Sequence, residues 1–204
     1  MPDPSPRLDD YVLLSRSGLR VSRLCLGTMT FGTEWGWGSA ESAAREMFDR
    51  YLDAGGNFVD TADGYTGGSS ESLVGKFIRD RGNRDRVVLA TKFTFASEPG
   101  NPNSGGNGRK NIHRALEGSL RRLQTDYVDL YWLHAWDGLT PVDEVLSTLD
   151  GLVRAGKVRA IGFLRRAGLV PRPSPDHRRV PGLGAALRAP AGVLAGGAEH
   201  RAGA

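Results

Sequence analysis

Arg86-Val-Val-Leu-Ala-Thr-Lys92 is a short apolar run that ends on a lysine. Two further runs end the same way: Asn57-Phe-Val-Asp60 on an aspartate, with Tyr65 in the loop after it, and Tyr127-Val-Asp-Leu-Tyr-Trp-Leu-His134 on a histidine. Runs of this length, rich in β-branched and aromatic residues, read as strands. A stretch with helical spacing follows each of them, so the strands should lie parallel in one sheet, joined by right-handed crossovers. Their C-terminal ends then bring Asp60, Tyr65, Lys92 and His134 to one face, where α/β enzymes keep their chemistry.

Outward from these runs the alternation is regular. Ala40 to Ala54 places Ala43, Ala44, Met47, Phe48, Tyr51 and Leu52 on one helical face, and Gly55-Gly56 stops it. Ser70 to Arg81 repeats the pattern with Leu73, Val74, Phe77 and Ile78, and Asn111 to Leu123 with Ile112, Ala115, Leu116, Leu120 and Leu123. Thr140-Pro141 opens a fourth helix, with proline suited to a first turn. Lys157 to Gly162 is a fifth parallel strand, counted from Leu24-Cys-Leu-Gly27. Tyr11 to Leu14 and Leu19 to Arg23 flank Ser15-Arg-Ser-Gly18 as a hairpin. A doubly wound sheet and a (β/α)8 barrel both fit such alternation. No Gly-x-Gly-x-x-Gly follows Gly27, which weakens the dinucleotide-fold reading. The expectation is α/β: a partial (β/α)8 TIM barrel with an N-terminal β-hairpin, about five parallel strands and an irregular C-terminal tail. Its divisions are a disordered arm over 1–10, a partial barrel over 11–162, and a low-complexity or disordered tail over 163–204.

Charge narrows the partners. The 204 residues carry a formal +4, yet residues from Phe163 onward hold seven arginines against two acids, so the first 162 are close to neutral. The partial barrel has no basic patch interleaved with aromatics, which argues against nucleic acid. Cys25 is the only cysteine and sits in an apolar run, which suits a buried structural thiol. No stretch approaches the roughly 20 apolar residues of a membrane span, so a cytoplasmic, reducing setting is the default expectation. Ala96 to Gly108, rich in Gly, Pro, Asn and Ser, overhangs the strand end at Lys92 and reads equally as a lid or as an exposed linker. Trp35, Trp37 and Trp136 read equally as pocket walls or as packing.

A phenol ordinarily ionises near pH 10, roughly three units too high for an effective acid at neutrality. A nearby ammonium such as Lys92 favours the phenolate, Asp60 would hold Lys92 charged and aimed, and His134 can donate to a substrate oxygen. The set suits protonation of an oxygen on which negative charge develops, as in carbonyl reduction. It suits a metal poorly, having one His and one Asp.

Gly56-Asn-Phe-Val-Asp-Thr-Ala-Asp-Gly-Tyr65 continuing to Ser70-Glu-Ser-Leu-Val-Gly75, then Thr91-Lys92, the run ending at His134, and Leu152 to Gly162 together resemble the aldo-keto reductase family, in order, over about residues 11 to 162. The resemblance implies NADPH-dependent reduction of an aldehyde or ketone. Tyr65 would be the general acid, Lys92 and Asp60 its tuners, and His134 would orient the carbonyl. Gly27, Thr28, Met29 and Asp60 would face the cofactor. After Gly162 the chain leaves the family pattern, and a reading-frame shift in a GC-rich gene is one account, because Leu164 to Val170 can be encoded so that loss of one nucleotide yields Ser-Asp-Ala-Pro-Ala-Trp. Turnover by this chain is then expected to be absent or very weak. The alternative is an inactive half-barrel that self-associates through open sheet edges.

Overall fold

The computed structural model describes residues 7–15 and 17–164. Five parallel strands, β3 (Leu26–Gly27), β4 (Phe58–Asp60), β5 (Val88–Phe93), β6 (Val128–Leu133) and β7 (Val158–Phe163), form one sheet in the order of the chain. Helices α1 (Glu41–Asp53), α2 (Ser69–Arg81), α3 (Arg109–Leu123) and α4 (Val142–Arg154) connect them. A separate antiparallel hairpin pairs β1 (Tyr11–Leu13) with β2 (Arg20–Ser22). This is the expected partial barrel, with five strands and an N-terminal hairpin. The tail expected to be irregular lies, from residue 165, outside the described residues, as do residues 1–6 of the expected arm. Its described part runs against the α1–β4 connection, where Leu8 N–H donates to Ala54 O at 2.7 Å.

Two apolar layers bury both faces of the three central strands, β4, β5 and β6, as a parallel sheet requires. Val59, Leu89, Phe93, Tyr131 and Leu133 point to the helices and pack with Phe48, Phe77, Leu116 and Leu149. Phe58, Val88, Ala90 and Leu130 point inward and meet Leu14 and Val21, so the hairpin closes the N-terminal end of the interior. Burying each large side chain contributes about 1.5–3 kcal/mol. The alternation skips at Asp129: Val128 faces the helices, Leu130 the interior, and the Asp129 carboxylate, instead of a backbone oxygen, accepts Leu89 N–H at 3.0 Å. Arg84 holds that carboxylate at 2.9 Å.

The elements begin and end within a few residues of their expected limits. One difference is at β3, expected from Leu24 and reduced to Leu26–Gly27. Leu24 is exposed, and its carbonyl accepts the Ser22 hydroxyl and the Tyr51 phenol instead of a ladder partner. Tyr51 reaches this point because Gly56 has no side chain: a Cβ there would lie 2.3 Å from Tyr51 Cζ. The Tyr51 oxygen sits within 3.0 Å of Ser22 Oγ, Phe58 N and Phe58 O, joining α1, β2 and β4 at the base of the barrel. Gly56→Ala is therefore expected to lower stability by about 1–3 kcal/mol through overpacking. The urea midpoint reads this directly, and an unshifted midpoint would show that Tyr51 is free to move.

Candidate active site

Asp60 is the last residue of β4, Lys92 the fifth of the six in β5, and His134 follows β6 directly, its N–H donating to Phe93 O at 3.1 Å. Tyr65 starts a 3-10 turn, Tyr65–Gly68, between β4 and α2. Thr66 holds this turn. It adopts a left-handed φ of 46°, unusual for a β-branched residue, and its hydroxyl donates to Phe31 O at 2.7 Å while accepting Ser70 N–H at 3.0 Å.

All four expected residues meet. Lys92 is the hub, 4 % exposed, and its ammonium spends its three donors on Asp60 Oδ2 at 2.5 Å, Thr61 O at 2.8 Å and Tyr65 Oη at 3.0 Å. An ammonium only donates, so the phenol oxygen accepts and its own hydrogen is left for another acceptor. The ammonium also lies 4.6 Å from the centre of the Tyr65 ring. The Tyr65 and His134 rings stand edge to face with centres 5.9 Å apart.

Burial raises the Asp60 carboxyl above its ordinary value, and Lys92 opposes this as ion partner. The Trp132 indole adds a smaller downward pull, although its N–H does not reach hydrogen-bond geometry with any acceptor among the described residues. His134 is pushed down to about 4 by burial and, second, by the Lys92 charge. It is neutral at pH 7, with one nitrogen to donate and one to accept. Its Nδ1 has no partner among the described residues.

The set expected to face a cofactor divides in its exposure. Gly27 pairs in register with Asp60 and is exposed, and Met29 is exposed as well. Thr28 between them is fully buried: its hydroxyl donates to Asp60 O at 3.0 Å and lies 2.8 Å from Ser70 Oγ. Its side chain thus braces the strand end that carries Asp60.

Four supporting groups went unread in the sequence. The Thr61 carbonyl, a backbone group, carries no side-chain signal. Trp132 lines the interior beside Lys92 because Gly162 opposite it lacks a Cβ, which would otherwise lie 2.0 Å from the indole. Phe95 stands edge-on to His134, centres 4.7 Å apart, and is half exposed. Its position three residues after Lys92 was the available clue. Glu71, fully buried, accepts the Thr91 hydroxyl at 2.5 Å and Arg122 Nε at 2.7 Å, anchoring β5 one residue before Lys92.

The Ala96–Gly108 loop is tied down in this structure. Asn107 is fully buried, accepts Asp137 N–H at 2.8 Å, returns a bond to Asp137 Oδ2 at 2.7 Å, and donates to Thr94 Oγ1 at 2.9 Å. Trp35 and Trp37 are exposed and lie against each other, centres 5.4 Å apart, while Trp136 packs on the helix-side core. Burial pushes the Cys25 thiol up, consistent with an unreactive packed cysteine.

The structure thus gathers a lysine-bound phenol, a buried carboxylate and a neutral imidazole at the C-terminal end of a parallel βα sheet. The chain belongs to the aldo/keto reductase family, whose sequence profile matches residues 23–165. Members of this family generally use NAD(P)H. Norsolorinic acid reductase stcV of Emericella nidulans is 41% identical over 191 residues, covering 89% of this chain and 49% of its own length. Norsolorinic acid reductase of Aspergillus flavus is 43% identical over 170 residues, 79% of this chain and 44% of its own. The uncharacterized oxidoreductase YrpG of Bacillus subtilis is 45% identical over 170 residues, 78% and 50%. The chain spans about half the length of the curated relatives it matches.

Two outcomes test the site. Lys92→Met leaves Asp60 buried without its cation and is expected to cost about 3–5 kcal/mol. Adding Asp60→Asn should recover a large part of that loss, and a double-mutant cycle in urea measures the coupling. His134 has a folded value depressed from 6.5 to about 4. The unfolded chain therefore binds more protons between those values, and stability falls as pH drops through that window. Between about pH 7 and about pH 5, wild type should lose more stability than His134→Gln, with every other titrating group common to both.

Proposed function

We propose that this chain carries the proton-donating half of an NADPH-dependent carbonyl reductase, with Tyr65 as the general acid for an aldehyde or ketone. The observation that carries this reading is the three-way engagement of Lys92, which turns the Tyr65 oxygen into an acceptor and frees its proton. Phenolate charge, once the proton has left, develops at 3.0 Å from an ammonium inside a largely buried site, where electrostatic stabilisation is strong. His134, neutral and beside Tyr65, donates to the same substrate oxygen and orients it. NADPH, when bound, supplies the hydride. The residues fit it at one end: Gly27 leaves open space above its Cα, Met29 is exposed, and the Asp60 carboxylate lies next to them in register, which suits a nicotinamide ribose. The named reductase relatives support a carbonyl substrate, and the half-exposed Phe95 beside His134 supports an aromatic one. No helix among the described residues is long and apolar enough to cross a membrane, and a cytoplasmic setting belongs to this reading.

NADPH oxidation by the purified chain with an aromatic aldehyde is expected to be very weak, because only half of the relatives' length is present to enclose the reacting groups. Tyr65→Phe should reduce it by a further ~10²–10⁴, while cofactor fluorescence titration stays unchanged. An equal rate in both proteins would remove Tyr65 from the role.

A second reading has its own observation. β3 and β7 are the two edges of the five-stranded sheet, each with one unpaired side among the described residues. Unpaired edges are templates for another chain, so self-association is the alternative use of this half-barrel. A single monomeric peak in gel filtration at all concentrations would exclude it.

A further inference from the structure

Behind the Lys92 site, between α3 and the loops that follow β4 and β5, lies a second polar cavity of about 90 Å³, lined by Asp63, Ser97, Arg114, Gly118, Arg121 and Arg122. It shares a loop with the active site, since Asp63 N–H donates to Lys92 O at 3.1 Å. The charges around it do not cancel. Arg122 is committed to Glu71, Nε to Oε2 at 2.7 Å. Arg114 uses Nη2 on Ser104 O at 2.7 Å and on Asn111 Oδ1 at 2.8 Å, and neither it nor Arg121 forms an ion pair among the described residues. Among the described residues Arg114 Nε is buried with no acceptor, and Asp63 Oδ1 is buried with no donor, Asp63 being only 7 % exposed. Two guanidinium groups without a salt bridge among the described residues, of which Arg114 feels the Asp63 carboxylate electrostatically, and two orphaned polar atoms therefore border one small cavity.

We propose that this cavity is a binding site for a small free oxyanion of the sulfate or phosphate type, with Arg114 and Arg121 as its cationic walls and Asp63 and Ser97 as its remaining polar contacts. The volume is right for one tetrahedral ion and too small for the rest of a nucleotide. Asp63 gives the site a pH response. Glu71 from α2, Arg114 and Arg122 from α3 and Tyr131 from β6 face it. Burial first, and the Glu71 charge second, push its carboxyl up to about 7 against the pull of the two arginines. A protonated Asp63 donates to an anion, whereas an ionised one repels it. Binding therefore takes up a proton, and affinity falls as pH rises through about 7.

Sulfate is the suitable probe because its charge is constant across this range. Titration calorimetry of the whole chain, with chloride matching the ionic strength, should show one saturable site. Affinity should be about tenfold weaker at about pH 8 than at about pH 6, the equivalent of one unit of linkage. Arg121 is exposed and its side chain forms no hydrogen bond or ion pair among the described residues, so Arg121→Gln tests the wall without disturbing the fold. It should weaken sulfate about fivefold. Asp63→Asn should keep the site and lose the pH dependence. Absence of saturable binding, or wild-type affinity in both Arg121→Gln and Arg114→Gln, would overturn the proposal. A pH-independent wild type would overturn the role of Asp63, and equal binding of a bulky phosphomonoester would overturn the free-ion assignment.

Discussion

A lysine side chain removed from water is tolerable only where each of its donors finds an acceptor and its charge finds a counter-charge, since an isolated buried ammonium costs several kcal/mol. Lys92 meets this condition through Asp60, the Thr61 carbonyl and Tyr65, drawn from β4 and the loop that follows it. Those three partners exist in one place only if β4 and β5 run parallel and adjacent, with the β4–α2 loop folded over the end of β5. The pairing of Asp60 with Ala90, two residues before Lys92, sets that register. The geometry around Lys92 and the strand order are thus a single constraint.

The surroundings keep the lysine in place from both sides of the sheet. On the helix side, Glu71 and Arg122 hold Thr91, the residue before it. Around Asp60, Thr28 and Ser70 bind the strand end through hydroxyl groups buried from solvent. In the interior, Trp132 occupies the space that Gly162 leaves free and packs on the inner apolar cluster beside Lys92. Low local polarity strengthens the ion pair and penalises any state in which one partner leaves. The same burial keeps His134 neutral, so the imidazole acts as a hydrogen-bonding group and adds no second cation next to Lys92.

Much of this was legible in the chain itself. The period-3.6 apolar faces located four helices, and the short apolar runs between them located the parallel strands. The charged or polar residue closing each run pointed to the face on which the candidate site lies. Asp60, Tyr65, Lys92 and His134 were all identifiable because strand ends are where such residues have a reason to be. Other features were hidden for definable reasons. The skip at Asp129 comes from a side chain replacing a backbone acceptor, which no periodicity reveals. Thr28 reads from the sequence as a residue open to a ligand, and only packing shows its hydroxyl turned inward. The Ala96–Gly108 loop has the composition of a linker, but it is fastened by a pair of reciprocal bonds between Asn107 and Asp137, thirty residues apart.

The sequence by itself determined the order of elements, the parallel sheet, the family and the four residues at the strand ends, because these follow from local periodicity and from motifs of fixed spacing. Only the tertiary structure decided what those residues do to one another. That Lys92 donates to the Tyr65 oxygen, that His134 is stripped of its proton by burial, and that Asp63 stands among arginines in a cavity behind them all depend on distances between side chains far apart in the chain. Such distances are set by the packing of helices on the sheet, and charge interactions in a dry interior change steeply over a few ångströms.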